Sequence, residues 1–341
     1  MAQVPIQRHR LENGLRVVLS RDPRAPLVAV NLWYDVGSRH EKAGKTGFAH
    51  LFEHMMFQGS ANVEKGQHFS LVQAAGGTLN ASTWLDRTNY FETMPSHELE
   101  LALWLEADRM ASLLPAMTQE KLDNQRDVVK NERRWSVDNQ PYGTWDEKMQ
   151  ALVYPETHPY HHSTIGSMED LSAASLEDVS EFFATYYAPN NAVLTVAGDF
   201  ETEEALAMIE RHFGPIPANA ALPPAPDMTV DPNLGTAVRE SVPDQVPLPR
   251  IYLAHRVPPF GTDAFDALDV AADILGAGRA SRLYASLVRE QKLAQDASVF
   301  AFPFVGGATM FALWLEADRM SGLLPAMTQE KLDNQRDVVK N

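Results

Sequence analysis

The residues best suited to chemistry lie in one short stretch, His50-Leu51-Phe52-Glu53-His54. This stretch has the pattern H-x-x-E-H, which is the zinc-peptidase motif in inverted order. Residues four apart in a helix lie on the same face, so both imidazoles could bind one metal ion. Glu53 would project beside them toward a metal-bound water. The spacing therefore predicts a zinc hydrolase, or a descendant of one.

A second interpretation is an amphipathic core helix whose two histidines hydrogen-bond to neighbouring residues. The context favours a helix, with Thr46 at its start, Gly59 at its end and several apolar residues to pack it. Two imidazoles and a carboxylate on such a segment need polar partners, because burying them unpaired is costly. A metal ion would be one such partner.

The composition limits the classes of protein to which the chain can belong. Its 341 residues are 45% hydrophobic and 22% charged, which is typical of a globular protein with room for two packed domains. The net charge of -16 argues against nucleic-acid binding, which needs a basic surface. There are no cysteines, so zinc would be held by nitrogen and oxygen atoms.

The distribution of apolar residues leads to two expectations about location. No run of 18 or more apolar residues is present, so no membrane-spanning segment is expected. The segment Met1–Pro5 does not begin a signal peptide, which predicts a cytoplasmic protein. A periplasmic location is the alternative if an export signal has been removed.

Strand and helix signals mixed along residues 1–214 predict an α+β domain, with a mostly antiparallel sheet flanked by helices. A hairpin is expected around Asn13-Gly14. The other predicted strands cover residues 27–36, 78–84, 88–94 and 191–197, and the other predicted helices cover 99–114, 118–134, 175–187 and 201–213.

The remainder of the chain predicts a linker and a second domain. Residues 215–247 are rich in proline and form the expected linker. A strand at 251–256 and a helix at 264–275 repeat the order of the first domain without its H-x-x-E-H motif. We therefore expect residues 248–341 to be a truncated, metal-free domain homologous to the first.

A nearly identical repeat ends the chain: residues 312–341 duplicate residues 102–131 and differ at only two positions. Long-diverged structural repeats do not stay this similar, so a recent duplication, a recombination junction or an assembly artefact is the expected origin. We expect Ala312–Asn341 to pack as a helical hairpin on the unfinished second sheet.

A catalytic zinc ion usually has three protein ligands and a water, so a third ligand is required. Spacing alone makes Glu132 one of many carboxylates on predicted helices. Four segments together, however, resemble the pitrilysin/insulinase family, in its branch of bacterial relatives of mitochondrial processing peptidase. They are His50–Ser60, Gly76–Ala81, the context of Glu132 and Tyr186–Asn191.

The resemblance covers residues 4–311 and implies a complete site. It implies that His50, His54 and Glu132 hold one zinc ion per chain and that Glu53 is the general base. It also implies that the strand around Asn80 and Ala81 receives the peptide substrate as an added strand.

The resemblance leads to expectations at three positions outside the motif. Gln125 stands where many relatives have a glutamate near the metal, and an amide supplies no charge there. Arg289 matches a substrate-binding arginine of the metal-free half, whereas the matching tyrosine position is Gln295. The segment 158–162, with three histidines around Pro159, is expected to be a surface turn rather than a second metal site.

These observations predict a zinc-dependent endopeptidase of oligopeptides or unfolded protein segments. The alternative is a catalytically weak or inactive relative that acts as a partner or scaffold subunit, or a truncated chimeric product. A homodimer, or a heterodimer with a related subunit, is expected because a half-open chamber leaves apolar surface to bury.

Overall fold

The computed structural model describes residues 4–231, 235–246 and 248–304, together with the backbone of Thr309–Glu316. The chain divides into two compact units. The first comprises Met1–Ser136 and Pro159–Asp227, and the second comprises Val137–His158 and Met228–Asn341. The predicted domain boundaries after residues 214 and 247 stay a prediction. The described residues of the predicted linker contain neither helix nor strand.

A six-stranded sheet forms the centre of the first unit. Its strands are β1 (Gln7–Arg10), β2 (Arg16–Arg21), β3 (Leu27–Tyr34), β4 (Thr78–Thr83), β5 (Thr88–Pro95) and β6 (Ala192–Gly198). The order across the sheet is β1-β2-β6-β3-β5-β4, and all neighbours are antiparallel except β2 and β6. The predicted α+β class, with a mostly antiparallel sheet, is thus confirmed, as is the hairpin around Asn13-Gly14.

Nine α-helices lie within the described part of the chain. They are α1 (Phe48–Met55), α2 (Gln67–Ala74), α3 (Leu99–Ala116), α4 (Gln119–Arg133), α5 (Trp145–Val153), α6 (Met168–Ala173), α7 (Leu176–Tyr186), α8 (Thr202–Phe213) and α9 (Asp263–Gly276). Helices α5 and α9 belong to the second unit. None of the described helices combines the length and the apolar character needed to cross a membrane.

The helices of the first unit cover one face of its sheet. In strand β3 the alternate residues Val28, Val30, Leu32 and Tyr34 are buried, and the residues between them are more exposed. Since successive side chains of a strand point to opposite faces, one face of the sheet is apolar and is covered by helices. Helices α1, α2 and α3 pack against β3, β4 and β5 on that side. The side chains of the opposite face, hereafter the open face, include the 41%-exposed indole of Trp33.

The second unit contains a three-stranded sheet of β7 (Arg250–Val257), β8 (Asp296–Ala301) and β9 (Thr309–Glu316). Strand β9 lies in the middle and is antiparallel to both neighbours. Strand β7 and helix α9 confirm the predicted strand and helix at 251–256 and 264–275.

The predicted helical hairpin is wrong where it begins, because Ala312–Glu316 belong to strand β9. The same five residues at Ala102–Glu106 are helical, within α3. In the second copy they are hydrogen-bonded between two strands, and this tertiary pairing overrides local helix propensity. The rest of the predicted hairpin, residues 317–341, lies outside the described residues.

Candidate metal centre

Helix α1 separates its apolar residues from its polar ones. Its buried side chains are Phe48, Ala49, Leu51, Phe52 and Met55. His50, Glu53 and His54 lie on the other side, at the i, i+3 and i+4 spacing that shares one helix face. Burial of the apolar side fixes the rotation of the helix, so the sequence itself decides where the polar side points.

The start of α1 is held by a side chain that sequence reasoning missed. Glu41 accepts hydrogen bonds from the backbone N–H of Gly47 at 2.9 Å and of Ala49 at 2.8 Å. Thr46, the predicted cap, instead donates its hydroxyl to Asp170 at 2.6 Å. Carboxyl oxygens can accept hydrogen bonds from the N–H groups left free at a helix N-terminus. The position of Glu41, six residues before Gly47, is too distant for a usual capping pattern.

Helix α4 brings the third candidate ligand to α1. Thr118 caps α4 by accepting a hydrogen bond from the Lys121 N–H at 3.3 Å. Leu122 and Val129 are buried on the same helix stripe as Glu132, and α4 packs against α1. Glu132 therefore faces the two histidines because of packing between helices, which sequence spacing does not reveal.

The three predicted ligands converge. Nε2 of His54 lies 3.3 Å from Oε2 of Glu132, and Nε2 of His50 lies 3.7 Å from Oε1. One ligand atom from each of the three side chains lies within 4.8 Å of the others. Two ligands about 2.0–2.1 Å from a tetrahedral zinc ion are separated by roughly 3.4 Å. The two distances to Glu132 are close to this value, and two imidazole nitrogens with one carboxylate oxygen are a donor set that zinc binds.

The protonation states of the ligands also suit a metal ion. Burial, helped by the neighbouring His54, lowers the pKa of His50 to about 4, so its imidazole is neutral at pH 7. A hydrogen bond from His54 holds the pKa of Glu132 below its ordinary value. Neutral imidazole and ionised carboxylate are the forms that bind metals.

Glu53 lies beside this cluster and has a defined orientation. Its Oε2 accepts a hydrogen bond of 2.6 Å from the hydroxyl of Thr83, at the end of β4. Burial raises the pKa of Glu53 above its ordinary value. A carboxylate with a raised pKa is better able to accept and hold a proton near neutral pH, as a general base must.

Asn80 and Ala81 lie on β4, at the edge of the six-stranded sheet. The Trp84 N–H donates to the Arg87 carbonyl, so alternation along the antiparallel pair turns the backbone N–H and C=O of Ala81 away from β5. The Oδ1 atom of Asn80 accepts a hydrogen bond of 2.9 Å from the Ala81 N–H. These two residues thus lie where a peptide could add as a further strand.

The other predicted positions have different surroundings. Gln125 is buried on α4 and donates to Asn124 at 2.9 Å. Arg289 is exposed in the π-helical segment Tyr284–Glu290 of the second unit. His162, from the histidine-rich turn, has its Nδ1 3.5 Å from Glu41. Among the described residues, the only group of three or more potential metal ligands is His50, His54 and Glu132. The roles predicted for Gln125 and Arg289 stay predictions.

Comparison with known proteins places this centre in a family. Residues 16–158 match the family model "Insulinase (Peptidase family M16)", and residues 173–324 match "Peptidase M16 inactive domain". Zinc protease PqqE of Helicobacter pylori is 34% identical over 306 residues, which are 86% of this chain and 68% of that protein. The chain belongs to the insulinase family, M16.

Other M16 members support the assignment. An uncharacterized zinc protease of Mycobacterium leprae is 31% identical over 84% of this chain and 64% of its own length. The crystal structure of a protease from Helicobacter pylori superposes with a TM-score of 0.88 at 30% identity, covering 99% of this chain and 86% of that chain. The human cytochrome b-c1 complex subunit 1 is 28% identical over 78% of this chain and 54% of its own length. The zinc protease names agree with the donor set described above.

Proposed function

We propose that the chain is a zinc-dependent endopeptidase that hydrolyses peptide bonds of oligopeptides or unfolded protein segments. The observation that carries this proposal is the convergence of His50, His54 and Glu132 beside the hydrogen-bonded carboxylate of Glu53. The position of β4 at the edge of the described six-stranded sheet supports a peptide substrate, because an extended chain can pair with an edge strand.

Each residue of the site would have a distinct role in hydrolysis. His50, His54 and Glu132 would hold the zinc ion, which when bound lowers the pKa of a water to about 7 and polarises the scissile carbonyl. Glu53 takes a proton from the attacking water on its carboxylate and gives it to the leaving amine. Thr83 holds that carboxylate in place. The backbone of Ala81 aligns the peptide.

The proposal is tested by zinc content and peptide cleavage in the wild type and in three variants. Glu53→Gln is expected to keep zinc and to lose cleavage by a factor of about a thousand, since it cannot accept the proton. Glu132→Ala is expected to lose zinc. Glu120→Ala, an exposed position on the same helix, is the matched control and should change neither quantity. Unchanged cleavage in Glu53→Gln would refute the mechanism.

A second candidate is a non-catalytic partner subunit, alone as a homodimer or together with a related chain. Two observations favour it: residues 173–324 match a domain described as inactive, and the human relative is named as a subunit of a complex. This candidate requires that the wild type cleaves no unfolded substrate, whether or not it binds zinc. Sedimentation of the chain at several concentrations would measure its self-association.

A further inference from the structure

Arg87 lies at the end of the hairpin that joins β5 to β4, the edge strand of the described six-stranded sheet. Its Nη1 donates to the carbonyl of Ser82 at 3.0 Å, to the hydroxyl of the same residue and to Oδ1 of Asn89 at 2.7 Å. Ser82 and Asn89 are paired across the two strands, with their side chains on the open face. Ser82 and Asn89 form a hydrogen-bonded pair, so the Ser82 carbonyl points toward β5, and the guanidinium is fixed on the open face between β4 and β5.

Two indole rings flank this guanidinium. The Cζ atom of Arg87 is 5.0 Å from the ring centre of Trp33 and 5.8 Å from that of Trp84. Within the part of the chain that the structure describes, Nε and Nη2 of Arg87 make no hydrogen bond. Aromatic rings favour a cation above their faces, and they leave these donor groups able to bind an anion.

The loop that carries Arg87 is rigidly anchored. The backbone N–H of Ser38 donates to the Trp84 carbonyl at 3.2 Å, and that of Arg39 donates to the Leu85 carbonyl at 3.0 Å. The Arg39 guanidinium also forms a buried ion pair of 3.0 Å with Asp86. Because the loop is already ordered, little conformational entropy is lost when Arg87 binds a ligand.

A peptide added to β4 would place alternate side chains on the open face, in line with Asn80 and Ser82. A side chain beside Ser82 that extends over this small residue would reach the Arg87 guanidinium, which is bonded to Ser82 itself. Burial lowers the pKa of Arg87, and the charge of Glu53 opposes that change. The side chain that best complements this cation is a carboxylate, which can accept two parallel N–H bonds.

We infer that Arg87 is a specificity-determining residue that selects peptides with an aspartate or glutamate side chain beside Ser82. This inference rests on the proposed function, since it assumes that the substrate is a peptide added to β4. In a protein with a net charge of -16, most of the surface would repel such a side chain, so a cation near the edge strand favours binding of that side chain there.

The experiment uses matched peptides with glutamate or glutamine at each of several positions on both sides of the scissile bond. The wild type should prefer glutamate by about fivefold in kcat/KM at one position, the effect of one partly exposed ion pair. Arg87→Gln should abolish that ratio, and Arg87→Lys should keep part of it. Arg8→Gln, on the opposite edge strand β1, is the control and should leave the ratio unchanged.

The ratio of kcat/KM for the glutamate peptide to that for the glutamine peptide separates structural damage from loss of selection. Damage lowers cleavage of both peptides equally and leaves this ratio unchanged. A ratio near one in the wild type overturns the inference, and so does a preference for glutamate that persists in Arg87→Gln. Either result leaves the endopeptidase proposal intact.

Fluorescence anisotropy with the Glu53→Gln variant measures binding of the same peptides without turnover. Glutamate-dependent binding that requires Arg87, with no cleavage by the wild type, would support the inference and refute the endopeptidase. Absence of both cleavage and binding overturns both.

Discussion

The hydroxyl of Thr83 on the edge strand β4 donates a hydrogen bond of 2.6 Å to the Glu53 carboxylate on helix α1. This bond connects the element that would bind the peptide to the side chain that would move the proton. A general base works only when its carboxylate is held within hydrogen-bond reach of the proton.

Replacing Thr83 should therefore change the rate of the reaction more than binding of the substrate. We expect Thr83→Val, which keeps the shape and removes the hydroxyl, to lower kcat about tenfold with little change in KM or zinc content. Thr83→Ser should restore most of kcat because its hydroxyl can donate the same bond. Equal losses in the two variants would contradict a role through Glu53.

Glu41 should make the stability of the fold depend on pH. Burial raises its pKa to about 8 from an ordinary value of 4.5, although the N–H groups of Ala49 and Gly47 oppose that rise. Between these pH values the folded protein keeps a proton that the unfolded chain has released, so the free energy of unfolding falls as pH rises. That contribution is fully present below about pH 4.5 and is lost by about pH 8.

Urea unfolding of the wild type and Glu41→Gln over this pH range measures the contribution directly. An amide does not titrate, so the wild type should lose stability relative to the variant as pH rises from about 5 to about 8. A difference between the two proteins that stays constant with pH would show that burial of Glu41 does not govern its ionisation.

Gly166 lies against Gly47 at the start of α1 and leaves no space for a side chain. A Cβ atom there would lie 2.4 Å from the N and Cα atoms of Gly47, and the φ of Gly166 is +74°. We expect Gly166→Ala to lower the free energy of unfolding by about 3 kcal/mol and to weaken zinc binding, because α1 must shift. Gly44→Ala is a control for the effect of φ alone, since Gly44 has φ +78° and open space around its Cβ position. It should lower the free energy of unfolding by about 1 kcal/mol.

The duplicated pentapeptide should show opposite backbone signals in solution. Ala102–Glu106 are helical in α3, whereas Ala312–Glu316 form part of the central strand β9. We expect NMR Cα chemical shifts above random-coil values for Leu103–Leu105 and below them for Leu313–Leu315. Helical shifts in both copies would show that β9 does not form.

Sequence reasoning succeeded where the signal was local. The spacing of His50, Glu53 and His54 fixes their common helix face, and burial of Leu51 and Phe52 fixes the direction of that face. The strand signals of the sequence likewise predict most strands to within one or two residues of their observed ends. These features depend on neighbours in the chain, which a sequence displays.

The features that depend on packing between distant segments could not be read in the same way. The sequence indicates Glu132 only through a family resemblance, because only the contact of α4 with α1 distinguishes it from other helical carboxylates. Glu41 was missed because its bonds to Gly47 and Ala49 require a loop to fold back on α1. Ala312–Glu316 were assigned wrongly because an identical sequence has two conformations in two tertiary settings.

The bond from the Ala81 N–H to the Asn80 side chain has a consequence for the protein in concentrated solution. A bare edge strand is a template on which the edge of another copy can assemble, and that path leads to aggregates. Asn80 already satisfies an outward donor of β4, so a second copy gains less by pairing there. A substrate peptide that pairs there must displace the same bond, so the Asn80 side chain lowers the affinity of β4 for every incoming strand.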